Sequence, residues 1–232
     1  MSVENNYSLS KLQTEYEVRQ PIRDATAEIL FRHVPIGGNI VELGSGLGHN
    51  LDALMENYSV LGVEGLLEAA IKASDRGVQT IQADLERGTD LNTESCDAVL
   101  CLDVLEHLVN PLNCIGEARR LLRPSGILVI NVPNHFTLAC RIKILLGRDL
   151  DAPNFFPMYQ VWNYPHLRFF QHHSLLKLAK QGGFSVIEDF SWKFPAVPFF
   201  QNISLLSSVC NSIAKWFPNL FCGGFYLVLR KN

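Results

Sequence analysis

Ten residues, VELGSGLGHN from Val41 to Asn50, restrict this chain more than any other stretch. Asn39 to Leu43 reads as a short apolar strand, Gly44, Gly46 and Gly48 as a tight turn, and Leu51, Leu54 and Met55 recur at helical spacing. In a parallel sheet, a strand that passes through glycines into a helix brings backbone close to a ligand and aims the helix N-terminus at it. Taken alone, the glycines could simply make a turn. The next apolar run, Val60 to Glu64, ends in a carboxylate 20 residues after Gly44. At that spacing an acidic side chain can accept hydrogen bonds from the hydroxyls of a ribose. Nucleoside recognition is favoured, and the nucleoside stays open because a dinucleotide enzyme shares both features.

Apolar runs and helical patterns alternate onward from this turn. Leu66 to Asp75 reads as a helix stopped by Gly77, Val78 to Ala83 as a third strand with Asp84 at its end, and Cys96 to Leu102 as a fourth. Pro111 to Leu122 is helical in pattern, Pro124-Ser125-Gly126 turns the chain, and Ile127 to Val132 is a fifth strand. This alternation is the mark of a parallel sheet covered on both faces. Upstream, Pro21 to Val34 carries a helical face of Ile22, Ala25, Ile29, Leu30 and His33. Downstream, Phe136 to Leu146 and a helix capped by Ser174 and ending at Gln181 precede strands at Phe184 to Phe190 and Phe225 to Leu229. The last two strands read as an antiparallel pair.

The chain is therefore expected to be a single domain over residues 1–232, with an N-terminal helical arm at 1–35. Two further pieces stand out, a substrate-side insertion at 134–172 and an apolar insertion at 192–224 between strands 6 and 7. In the second, Ile203, Leu206, Val209, Cys210, Ile213, Trp216 and Phe217 fall on one helical face and serines on the other. Such a face covers a pocket, meets a second subunit or touches a membrane surface.

A formal net charge of −3 offers no basic field for nucleic acid. The 6 cysteines form no C-x-x-C pair and mostly sit in apolar runs, which reads as reduced thiols in a cytoplasmic protein, with disulfides formally open. No apolar run has the length of a spanning helix, and the first 20 residues carry no signal-peptide core. His172-His173 are adjacent without a companion at a recognisable spacing, so no metal set is expected.

The segments VELGSGLGHN, Glu64, QADLE around Asp84, CDAVLCLDVLEHLVNP and LLRPSGILVINVPN, in this order, resemble the class I S-adenosylmethionine-dependent methyltransferases over roughly Tyr16 to Leu229. The resemblance implies an α/β Rossmann-like fold with a seven-stranded, mostly parallel sheet of order 3-2-1-4-5-7-6, strand 7 antiparallel. It implies S-adenosylmethionine as cofactor, with Glu42, Gly44, Ser45, Gly46 and Gly48 in the first cofactor motif. Glu64 and Gly65 would meet the ribose, Leu66, Ala83, Asp84 and Leu85 the adenine, and Leu102, Asp103 and His107 the sulfonium side. Tyr16 and Arg19 resemble a pair near the amino-acid end. Each has a plain competitor: Glu64 as a helix cap, Asp84 as a turn residue, His107 as a loop closure, Arg19 as a surface cation, and the leucines as core.

Pro133-Asn134, Arg141, Leu145, Gly147-Arg148 and WNYPHLR further resemble small-molecule methyltransferases grouped with the methionine-biosynthesis W proteins and the ubiquinone-biosynthesis O-methyltransferases. On the substrate side the candidates are His135, Trp162, Tyr164, His166 and Arg168. A base is needed only when the acceptor arrives protonated, and His166, His135 and then His107 are the candidates for it. The expected partner is a small-molecule, apolar or amphipathic acceptor, with no nucleic acid, no membrane span, peripheral membrane contact open, and a monomer or homodimer. Two other readings stand beside this one: a non-catalytic cofactor-binding or assembly protein, and a nicotinamide-dependent oxidoreductase, against which the segments at 84 and 103–107 count.

Overall fold

A computed structural model describes residues 20–148, 166–194, 196 and 212–232. Seven strands form one sheet: β1 (Asn39–Leu43), β2 (Ser59–Glu64), β3 (Thr80–Gln82), β4 (Cys96–Leu102), β5 (Leu122–Pro133), β6 (Phe184–Asp189) and β7 (Gly224–Lys231). Their order is β3-β2-β1-β4-β5-β7-β6, parallel through the first five and antiparallel where β7 pairs with β5 and β6. This is the expected order.

The two-residue period of the central strands sends side chains to two cores. In β4, Val99 and Cys101 join Ile115, Ala118 and Leu121 of α4 (Pro111–Leu121) and Leu175 and Ala179 of α6 (His172–Gln181). Ala98, Leu100 and Leu102 point the other way, onto Ile29 and Leu30 of α1 (Gln20–His33) and Ala73 of α3 (Leu67–Asp75). Strand β7 splits likewise, and the buried Tyr226 hydroxyl meets Thr26 Oγ1 of α1 at 2.6 Å. A helix layer on each face is what near-continuous apolar strands require.

Several boundaries differ from the sequence reading. The helix after the glycine turn is only α2 (His49–Asp52), because the chain then closes i to i+3 bonds from Leu54 to Leu51 and from Asn57 to Leu54. Pro124-Ser125-Gly126 lies within a longer β5: between Cys96↔Leu122 and Ala98↔Ile127, β4 advances two residues and β5 five, and Ser125 takes φ 65° there. Ser174 is not the N-cap of α6. It sits at N3 and exchanges bonds with Gln171, whose side chain caps the helix.

Helix α5 (Leu138–Leu145) starts at Thr137, whose hydroxyl accepts from the Cys140 amide, and a short α7 (Pro218–Phe221) precedes β7. Residues 212–216 are helical, but Ile213, Trp216 and Phe217 are exposed and Ala214 is buried. Of the apolar face expected there, Ile213, Trp216 and Phe217 thus stand open, while the small Ala214 packs on the body. The rest of that expected helix, including Cys210, lies outside the described residues. Cys96, Cys101, Cys114, Cys140 and Cys222 are free, buried thiols. Among the described residues no helix is long and apolar enough to cross a membrane.

Candidate active site

Parallel strands bring their C-terminal ends to one edge, so the turns after β1, β2, β4 and β5 converge there. After β1 the chain reverses through Gly44 (φ 79°), Gly46 (φ 54°) and Gly48 (φ 77°), the left-handed region that side chains rarely tolerate. The amides of Gly44 and Ser45 both donate to the Val63 carbonyl, clamping the turn onto β2. A Cβ at Gly44 would lie 2.3 Å from Val104 Cγ2, so the exit of β4 packs directly on the turn. At Gly48 the added carbon would meet Val78 and Ala73 at 3.1–3.2 Å. The Cβ position of the third glycine is thus taken up by close packing, and only its backbone can face a ligand.

Glu64 closes β2 with both carboxylate oxygens engaged. Oε2 accepts from the Gly46 amide and Oε1 from the Leu66 amide, each at 2.8 Å. The competing role of a cap for the following turn is therefore filled, and each oxygen keeps a further lone pair for a ligand. Glu42 is fully buried at the base of the turn and accepts from Asn50 Nδ2 at 2.6 Å. Ser45 faces backwards: a Cβ at Gly62 would lie 2.5 Å from its Oγ, so Ser45 can offer a ligand only backbone. Gly65 is exposed beside Leu66.

Beyond β3, Asp84 is exposed and accepts from the Glu86 amide, and its carbonyl accepts from Arg87, the plain turn role considered for it. Leu85 is buried and Ala83 partly buried beside it. The side chain of Leu102 is core, 2 % exposed, the plain alternative considered for it; its neighbour Asp103 carries the exit. Asp103 takes φ 55°, and Asn131 Nδ2 donates to its Oδ1 at 2.6 Å. Tyr16, Arg19, Trp162 and Tyr164 lie outside the described residues.

Three histidines meet at the far side of this edge. His107 ends a 3₁₀ turn (Leu105–His107), His135 follows β5, and His166 enters from a distant segment. The amides of Leu167 and Arg168 donate to the Glu106 carbonyl at 2.8 and 2.9 Å, holding that segment against the turn. His166 Nδ1 faces His135 Nε2 at 2.9 Å, and the rings of His107 and His166 meet edge-on with centroids 4.7 Å apart. Arg168, a candidate for the acceptor, is exposed and donates to the Val109 carbonyl. His172 is engaged elsewhere, with Asp189.

Sequence spacing missed two groups. Glu106, 1 % exposed, comes with His107 and His166 into a set whose ligand atoms lie within 4.8 Å of one another. The expectation of no metal set rested on linear spacing, and His166 is too far along the chain for spacing to reveal it. Arg23 of α1 is also buried, and close enough to His49 that its charge helps to lower that imidazole. A buried cation beside the glycine turn is chemistry suited to a ligand carboxylate.

Burial, then Arg76 and Arg23, push His49 down to about 4 against Asp52, and burial pushes His135 down to about 4 against the Pro133 carbonyl. Both fold as neutral rings. Between their ordinary value near 6.5 and about 4 the unfolded chain therefore binds more protons than the folded one, so stability rises with pH through that window and is lost on acidification. Urea unfolding from pH 7 to 5 is expected to lose about 1–3 kcal/mol on this account. Replacing His49 or His135 by glutamine should flatten the slope; an unchanged slope in both variants would refute the assignment.

An α/β sheet of this order, with a glycine turn after β1 and a carboxylate ending β2, is the architecture of a nucleotide-binding fold. The family follows from comparison with known proteins: a methyltransferase-domain model matches residues 14–189, and the chain belongs to the class I S-adenosylmethionine-dependent methyltransferases. It is similar to the ubiquinone biosynthesis O-methyltransferase of Aliivibrio fischeri (strain ATCC 700601 / ES114), 25% identical over 62% of this chain and 63% of that one. It is also similar to the trans-aconitate 2-methyltransferase of Rhizobium rhizogenes, 31% identical over 53% of this chain and 48% of that one. The matches thus span less than two thirds of these relatives. In fold it is similar to phosphoethanolamine N-methyltransferase 2 of Haemonchus contortus in complex with phosphomonomethylethanolamine and S-adenosylhomocysteine, with TM-score 0.66 and 17% identity, over 100% of this chain and 60% of that one.

Proposed function

We propose that this methyltransferase binds S-adenosylmethionine across the glycine turn and transfers its methyl group to a small acceptor held at the histidine cluster. The observation that carries the reading is the convergence at one sheet edge of the Gly44–Gly48 turn, the Glu64 carboxylate and His107, His135 and His166. The residues fit the cofactor. The left-handed turn at Gly44 and Gly46 presents backbone beside Glu64, Glu64 keeps lone pairs for two ribose hydroxyls, and Arg23 is a buried cation for the amino-acid carboxylate. Leu66, Ala83, Asp84 and Leu85 are assigned to the adenine, Gly65 to the ribose side, and Asp103 to the sulfonium side.

When bound, the cofactor supplies an activated methyl, so the protein's task is to orient the acceptor in line behind it. A bond forms from the acceptor heteroatom to the methyl carbon as the methyl–sulfur bond breaks, with the electron pair returning to sulfur. An acceptor that arrives protonated must lose that proton. The histidine cluster, in which His135 Nε2 holds His166 Nδ1, is assigned to that proton.

The acceptor class follows from the surroundings. Asn134 Nδ2 donates to the Cys222 carbonyl at 2.7 Å and the Asn219 carbonyl at 3.1 Å, tying α7 to the β5 exit beside His135. In the segments that run from this junction, Leu145 at the end of α5 and Trp216 before α7 stand 85% and 81% exposed, with Leu146 and Phe217 also open. These apolar side chains, in the substrate-side stretch at 134–172 and the apolar stretch at 192–224, support a small apolar or amphipathic acceptor entering here. A panel of such acceptors with S-adenosylmethionine, read by mass for a 14-dalton gain, tests this. Methylation of phenolic, hydroxyl or carboxyl compounds with apolar bodies is expected, and exclusive methylation of small, highly charged acceptors would overturn the acceptor class.

A further inference from the structure

We propose that Glu106, His107 and His166 bind a divalent transition-metal ion of the zinc class, which holds the acceptor oxygen beside the methyl donor. The ion site stands on geometry alone; the acceptor role rests on the methyltransferase reading. The three ligand atoms lie within 4.8 Å of one another, and His107 Nε2 is 4.0 Å from Glu106 Oε1, longer than a hydrogen bond. Ligands at zinc bond lengths stand about 3.4 Å apart in a tetrahedron, so side-chain shifts of roughly an ångström close the set on an ion.

The surroundings are those of a built site. Glu106 is 1% and His166 9% exposed, so an ion held between them would be enclosed by protein. The backbone of the first ligand fixes the second, because the Glu106 carbonyl accepts from the two amides that follow His166. Nδ1 of His166 is engaged by His135 Nε2 at 2.9 Å, so Nε2 is the atom His166 offers to an ion. An outer hydrogen bond that sets the ring and tautomer of a ligating imidazole is a recurrent support of metal sites, and it makes His135 a positioning residue. Asp103 is drawn to Asn131 instead.

Two imidazoles and one carboxylate favour Zn²⁺, Co²⁺ or Mn²⁺ over the all-oxygen sites of Mg²⁺ and Ca²⁺. Three protein ligands leave a position open. An acceptor hydroxyl bound there would lose its proton to solvent more readily, and its oxygen would attack the methyl carbon as an oxyanion held by the ion.

Chelator-treated full-length protein, titrated with Zn²⁺ against a chromophoric chelator and with Co²⁺ by visible absorption, tests the site. One ion per chain is expected, with the Co²⁺ band of a nitrogen and oxygen site. Glu106→Gln and His166→Gln should each weaken binding 100-fold or more, and His135→Gln by 10- to 100-fold, while circular dichroism and melting confirm folding. Should one variant fail to fold, the wild-type stoichiometry and the other variant still decide. No stoichiometric ion on the wild type, or binding indifferent to these substitutions, overturns the proposal. S-adenosylhomocysteine titrated into the same wild-type protein keeps the readings apart: ion without nucleoside would refute the cofactor reading and leave the ion site, and nucleoside without ion the reverse.

Discussion

Replacing Gly44 by alanine is expected to lower the melting temperature by about 5–15 °C and to remove measurable S-adenosylhomocysteine binding. Two costs add at this position. The backbone sits at φ 79°, where a side chain is strained by about 1–3 kcal/mol, and the new methyl would come within 2.3 Å of Val104 Cγ2. For a chain of this size each kcal/mol moves the midpoint by about 2–4 °C. Relief of the contact would push the β4 exit, and with it the 3₁₀ turn that carries His107, away from the glycine turn, so the damage extends to both halves of the site. Differential scanning calorimetry with and without the nucleoside reads both effects. A variant with wild-type melting and wild-type binding would mean that the turn is neither strained nor near the ligand. Gly37 makes the control: it too has positive φ (82°), but a Cβ there meets nothing within 4 Å, so alanine should cost strain alone.

The sheet was legible because its signal is repeated. Five apolar runs separated by helical patterns point to the same parallel architecture, and an error of a residue or two at any boundary leaves the order unchanged. The bounds of β4, Cys96–Leu102, were readable because Ala98 to Leu102 is apolar on both faces and polar residues flank the strand. By contrast, the helix after the glycine turn was over-read. Leu51, Leu54 and Met55 fit helical spacing, yet the same spacing serves i to i+3 turns, and a pattern of three residues cannot separate them.

The site was legible in its local parts and obscure in its distant ones. Gly44 and Glu64 follow from a motif in which spacing dictates geometry. The individual histidines could be nominated, but that His135 and His166 share a hydrogen bond, or that Glu106 lies against His107 and His166, depends on contacts between segments far apart in sequence. Leu102 was legible from strand alternation, which assigns its side chain to the core as the plain alternative had it. A buried cation such as Arg23 carries no sequence mark, since a lone arginine on a helix reads as surface until the packing is known.

The second large effect is expected at Glu64. Its carboxylate accepts from the amides of Gly46 and Leu66 at 2.8 Å, so removing it strips charge-assisted partners from the turn before any ligand is considered. With the ribose hydroxyls added, Glu64→Ala should cost about 3 kcal/mol of nucleoside binding, a hundredfold or more in Kd. Glu64→Gln should fall between, because one amide oxygen can still accept while its NH₂ group faces an N–H donor. Circular dichroism and melting would show whether the fold persists. Equal affinity in wild type and Glu64→Ala would exclude this carboxylate from the cofactor site.

The central claim is that the edge built from the glycine turn and Glu64 holds S-adenosylmethionine. Isothermal titration of the wild-type chain with S-adenosylhomocysteine and, separately, with NAD tests it most directly. Saturable binding of the first at one site per chain, with the second weaker by at least an order of magnitude, is the predicted result; preference for NAD, or no binding of the sulfur nucleoside by folded protein, would contradict it.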